Sequence, residues 1–261
     1  MRIRTRRHPN ERQLVLVGFG LASAICVALE LVRELHFGTQ GFRFLLWNLF
    51  LAWIPLLLAL GIYDRYRRGS RILVLAPAAA LWLLFLPNAP YIATDFIHLA
   101  PAPPAPLWLD GAILSAFAWT GILLGFVSLY LVHAVVRHRF GARTSWATVL
   151  GALALTSAGV YLGRFLRWNS WDLLVRPGQR LGQVLPRLSD VASIAHAGAV
   201  TLLLTGALAA TYLAFYALVG LRLDPQRRSR HGKPGGAAAI MFGSCVAILG
   251  VPRVRHLEAM P

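Results

Sequence analysis

Two short stretches gather most of the residue types that could do chemistry. The first runs Leu86-Pro87-Asn88-Ala89-Pro90-Tyr91-Ile92-Ala93-Thr94-Asp95-Phe96-Ile97-His98. Pro87 and Pro90 lack a backbone donor and disfavour helical torsions in the residue before them, so a helix should break near Leu86. Asn88, between the prolines, could satisfy freed backbone groups or a ligand. Thr94 reads as a helix cap, and Asp95 and His98, three apart, share one face of the turn that follows. An Asp and a His at that spacing could share a metal or form a base with its orienting acid. Two residues do not make a metal site, however, and a structural hydrogen bond is the simpler reading. Neither a metal nor a cofactor is implied.

The second stretch is Tyr161-Leu162-Gly163-Arg164-Phe165-Leu166-Arg167-Trp168-Asn169-Ser170-Trp171-Asp172. If the helix persists, Tyr161, Arg164, Trp168 and Asp172 follow one face, with Arg167 and Trp171 on a neighbouring one. As structure, Arg164 and Arg167 snorkel to lipid phosphates while Asn169 and Asp172 cap a new turn. As function, Arg164 pairs with Asp95 or grips an anionic head group, because guanidinium forks match carboxylate and phosphate. The candidate ligand-binding set is therefore Asn88, Asp95, His98, Arg164, Arg167, Asn169 and Asp172. Glu30, Asn48 and Asp110 lie at similar depth. With no GxSxG or HExxH string, no catalytic residue is assigned.

The elements that must position these residues follow from composition. Of 261 residues, 57% are hydrophobic and only 14% charged, where a soluble domain carries roughly a quarter. The net charge of +16 comes from 26 Lys plus Arg against 10 Asp plus Glu. The basic residues cluster between long apolar runs, which excludes a nucleic-acid surface and fits cytoplasmic loops. A spanning helix needs about 20 apolar residues. Six runs qualify, roughly 13 to 32, 42 to 62, 72 to 92, 108 to 135, 146 to 166 and 198 to 220. The expected fold is an all-α, six-span membrane protein.

Arg and Lys set its orientation. They crowd the N-terminal tail, the loops holding Arg65 to Arg71 and Arg137 to Arg143, and the segment after span six. The stretch from Thr94 to Leu107 has none. Both termini are then expected in the cytoplasm. The fifth loop, with Arg164, Arg167, Arg176, Arg180 and Arg187, is the exception. It shares the outer half with Glu30, Glu34, Asp95, Asp110, Asp172 and Asp190.

Residues 1–12 read as a basic cytoplasmic tail, 13–221 as the transmembrane domain and 222–261 as a basic, disordered tail. A short amphipathic helix from about Arg187 to Ala195 is expected on the outer interface between spans five and six, with His196 at its end. Gly121, Gly125, Gly159 and Gly163 suit close helix packing within the bundle. Cys26 and Cys245 have no CxxC spacing. No internal repeat of the transporter type is present.

The two strings, together with Trp119-Thr120-Gly121 and Gly125-Phe126, resemble the hallmark segments of a bacterial integral-membrane family, domain of unknown function 1361. The similarity covers about residues 40 to 221. It implies a multi-pass protein of the bacterial inner membrane and no assigned reaction. Three functions stay open. One is an outward-facing site that binds or transports an anionic or polar solute or lipid head group. The others are a membrane enzyme acting on lipid-linked substrates, and a structural or accessory subunit. The lipid bilayer is the expected partner, nucleic acid is not, and the oligomeric state is open.

Overall fold

Apolar residues recur without a break over more than a helical span, and the chain answers with helices. The computed structural model describes residues 9–38, 41–100, 105–167, 178 and 191–220. Its elements are α1 (Pro9–Phe37), α2 (Arg43–Arg67), α3 (Ile72–Phe85), α4 (Asn88–Tyr91), a 3-10 helix (Ile92–His98), α5 (Leu107–Leu166) and α6 (Val191–Gly220). Five helical stretches are long and apolar enough to cross a membrane: Arg12–Phe37, Arg43–Arg67, Ile72–His98, Leu107–Leu166 and Ser193–Gly220. The protein is therefore all-helical in its described parts and built of membrane-compatible helices.

The burial pattern agrees. Leu14, Leu21 and Ile25 on α1, and Leu202, Leu203 and Leu213 on α6, face outward. Ser128, His133, Ser145 and Ser157 face inward. Water would favour the opposite arrangement, whereas between lipid tails helices associate through close packing and interhelical hydrogen bonds. Trp82 donates Nε1–H to Ser128 Oγ at 2.6 Å, and Trp53 donates to Ser23 Oγ at 3.0 Å. His133 Nδ1 lies 3.0 Å from the Tyr212 hydroxyl.

Drawn straight, the 60 residues of α5 would reach about 90 Å. They do not run straight. Gly141 takes φ 85° and ψ 176°, a non-helical conformation inside the element that glycine adopts at least cost. His133 Nε2 and Ser145 Oγ, 12 residues apart, come within 3.2 Å, where a continuous helix would hold them about 18 Å apart. Residues 107–140 and 142–166 are thus two arms folded back on each other. Gly121 on the first arm meets Ala89 of α4, and Gly159 on the second meets Pro87 just before it.

The proline break falls where the sequence places it, but it is a break in hydrogen bonding rather than in direction. Leu86 and Pro87 keep right-handed helical torsions. Leu86 N–H still donates to Trp82 O, and Tyr91 N–H to Pro87 O. The chain then tightens into the 3-10 helix through His98. Thr94 is consequently interior to a helix and not its cap: its hydroxyl donates back to Tyr91 O at 2.7 Å.

Helix α5 ends at Leu166, with Arg167 left-handed at φ 54° and its N–H on Leu162 O. The helical face expected to run on through Trp168 to Asp172 therefore stops short. Trp168, Asn169, Trp171 and Asp172 lie outside the described residues, as do the tail after Gly220 and residues 187–190 of the expected interfacial helix. From Val191 the chain is part of α6.

Three of the glycines expected to pack within the bundle, Gly121, Gly125 and Gly159, do so at α4 and the Pro87 just before it. A Cβ on Gly121 would stand 2.6 Å from Ala89 O, one on Gly125 2.8 Å from Ala89 Cβ, and one on Gly159 2.6 Å from Pro87 Cγ. Substituting Gly121→Val should destabilise the protein by about 1–3 kcal/mol through overpacking. A Cβ on Gly151 meets nothing within 4 Å, so Gly151→Ala should hold or raise the melting temperature in detergent. Equal losses for the two variants would contradict this packing.

Candidate functional site

The 3-10 helix has three residues per turn, so Asp95 and His98 stack on one face. The second arm of α5 brings Arg164 against that face. Arg164 Nη2 donates to Asp95 Oδ1 in a salt bridge whose side chains are 15% and 2% exposed. Its Nε and Nη2 also donate to Thr94 Oγ1, at 3.0 and 2.7 Å. Its guanidinium carbon stands 4.6 Å from the centre of the Tyr91 ring. From α2, Asn48 Nδ2 donates to Asp95 Oδ2 at 2.9 Å. Three elements remote in sequence are thereby joined at one carboxylate.

His98 forms the exposed edge of this cluster. Its Nε2 lies 3.3 Å from Arg164 Nη1, and because a guanidinium has no acceptor, Nε2 accepts. Phe44 holds the ring edge-on at 5.1 Å. The hydrogen bond expected between Asp95 and His98 is replaced by one between each of them and Arg164. Both Asp95 oxygens are engaged, one by an arginine and one by an amide, so the carboxylate is a positioned anion and not a free base.

Asn88 turns back on its own helix, with Nδ2 donating to Phe85 O at 2.9 Å, which satisfies a carbonyl at the proline break. Arg167 is exposed past the end of α5, and Asn169 and Asp172 are outside the described residues. Sequence reasoning missed the contacts of Tyr91 and Thr94 with Arg164. Their spacing of three, in phase with Asp95 and His98 at three to four, was the available signal. Reading Thr94 as a helix start hides it. His196 packs against Phe165 with ring centres 5.4 Å apart.

A second ionic group lies at the same end of the bundle. Arg33 of α1 donates Nε to Asp110 Oδ1 at 2.6 Å and Nη2 to Asp110 Oδ2 at 3.1 Å. Glu34 pairs with Arg43 beside it. A shallow, half-open apolar groove lies between the α3 break and α5, lined in part by Leu86, Pro90, Phe126 and Thr156, and no charged residue among the described ones lines it.

Breaking a buried pair by removing one member leaves an uncompensated charge, at about 3–5 kcal/mol, whereas removing both leaves none. Arg164→Ala and Asp95→Ala should each lower stability by that order, and the double variant by clearly less than their sum. Thermal melts in detergent across the four-member cycle measure the coupling, and strictly additive losses would show that the two residues act separately.

No curated protein and no solved structure matches the chain. A family model described as protein of unknown function (DUF1361) matches residues 47–211. The matched stretch runs from α2 into α6 and holds Asn48, Tyr91, Thr94, Asp95, His98 and Arg164; α1, with Glu30 and Arg33, lies before it. On that match, over more than half of its length, the chain belongs to the family of proteins of unknown function numbered 1361.

Proposed function

We propose that the chain crosses the bacterial inner membrane six times with both termini in the cytoplasm, and that the Arg164 cluster is an outward-facing site for an anionic group. The two arms of α5 supply the sixth crossing. Orientation rests on the arginines: the end of the bundle carrying Arg65 to Arg71 and Arg137 to Arg143 is the basic one. The end carrying Asp95, Asp110 and Arg164 then faces outward.

The observation that carries the site is the edge of Arg164. Asp95, Thr94 and Tyr91 hold the guanidinium in place, while its Nη1 meets only the exposed ring of His98 among the described residues. An arriving phosphate or carboxylate oxygen displaces His98 Nε2 as acceptor, and the freed imidazole, once protonated, becomes a second donor. This chemistry suits a phosphate-bearing solute or a lipid head group. Acid–base catalysis on a lipid-linked substrate is less well supported, because Asp95 is held by Asn48 and Arg164 rather than by His98. A structural clamp is the second reading, favoured by the engagement of both Asp95 oxygens.

Two experiments test this. Reporter fusions after Arg71 and Arg143 should behave as cytoplasmic and one after Pro104 as external; a cytoplasmic result at Pro104 would overturn the orientation. For the site, inorganic phosphate or an anionic lipid should raise the melting temperature of the purified protein. Arg164→Lys should keep the fold and lose that rise, since a point charge cannot reproduce a fork. Full retention of the ligand effect in Arg164→Lys and His98→Ala would leave the clamp as the reading.

A further inference from the structure

Glu30 lies on α1 one turn before Arg33, and its side chain is fully buried at 0% exposure. Among the described residues, neither carboxylate oxygen has a hydrogen-bond partner. The fork of Arg33 is turned away to Asp110, with its guanidinium carbon 4.5 Å from the centre of the Phe42 ring. The groups that face Glu30 are Arg33 and Glu34 on α1 and Asp110 on α5, with Arg43 on α2 nearby and paired to Glu34. The Phe42 amide is turned toward the carboxylate but short of hydrogen-bond geometry. Glu34 and Arg43 neutralise each other, so Glu30 and Asp110 share one guanidinium and, among the described residues, the group is one positive charge short.

An ionised carboxylate buried without donors is among the costliest groups a fold can hold. Intramembrane ionisable residues persist where they have work to do. A metal ion is a poor fit for the missing charge: Arg33 takes both Asp110 oxygens, and among the described residues no three His, Cys, Asp or Glu side chains converge on a metal position. A proton needs only Glu30 itself.

We infer that Glu30 is a proton-binding site at the outer end of the bundle, and that its proton controls how α1 is held to α5. With the proton bound, the group is neutral and Arg33 stays on Asp110. When Glu30 gives the proton to the outer solution, the carboxylate left behind competes for Arg33, which is on the same helix face one turn away. Moving the fork from Asp110 to Glu30 unties the outer end of α1 from α5. The Cys26 contact with Thr120, at 3.5 Å, then becomes the nearest remaining polar tie between the two helices among the described residues. This inference takes its outer side from the orientation proposed above and does not rest on anion binding at Arg164.

The test uses the full chain in detergent micelles. Infrared difference spectra between acidic and alkaline pH should show the carbonyl band of a protonated carboxylic acid in the wild type, lost on alkalinisation and missing from Glu30→Gln. A folded state that holds one more proton than the unfolded chain loses stability as pH rises. The wild-type melting temperature should therefore fall toward alkaline pH, and that of Glu30→Gln should fall less. Should Glu30→Gln fail to accumulate, Glu30→Asp should move the band. A missing band, or one unchanged by either substitution, would overturn the proposal. So would an alkaline wild type that sodium stabilises over choline and a Glu30→Gln variant that it does not, because the missing charge would then be a metal ion.

Discussion

A charged side chain placed among hydrocarbon and apolar helices must find its opposite, and in this protein Arg164 finds Asp95. The pair ties three elements of the bundle together. Asp95 comes from the turn beyond the proline break, Arg164 from the far end of α5, and Asn48 from α2. No two of the three elements could shift without stranding a buried charge or amide. Arg33 and Asp110 do the same for α1, which otherwise presents an apolar surface to its surroundings.

Reaching that pairing requires close backbone approach. The tightened chain from Asn88 to His98 sits against both arms of α5 because Gly121, Gly125 and Gly159 offer no Cβ there. The prolines remove hydrogen bonds without redirecting the chain, and Asn88 covers one of the carbonyls affected. Local weakness in the helix and small residues on its neighbours are thus two sides of one arrangement. The first frees the chain to tighten into a 3-10 turn, and the second lets that turn be buried.

The opposite end of the bundle is tied by aromatic and hydroxyl groups more than by charge. His133 bridges Ser145 on the returning arm of α5 and Tyr212 on α6, and stacks at 5.1 Å on Tyr216. Both ring nitrogens are occupied, which makes it a satisfied core residue. Arg12 and Asp64 pair nearby in a more exposed setting, at 2.6 Å. The two ends therefore differ in kind: one carries buried ion pairs, the other an aromatic cluster with a basic rim.

Much of this was legible in the chain itself. Long apolar runs can only be helices in a membrane, because every backbone group must be satisfied within its own segment, and Pro87 and Pro90 announced the break near Leu86. The candidacy of Asp95 and Arg164 followed from charge in an apolar context, and their pairing from the cost of leaving either alone. Tertiary structure decided what depends on relative position. Only the fold back at Gly141 brings Arg164 beside Thr94, and only burial shows Asn88 turned to its own backbone while Arg33 reaches Asp110. The end of α5 at Arg167 was likewise hidden, since a left-handed arginine carries no local signal of the kind glycine would. Periodicity and composition act within one helix, whereas a fork and its carboxylate meet across 69 residues of sequence, and that meeting is set by packing alone.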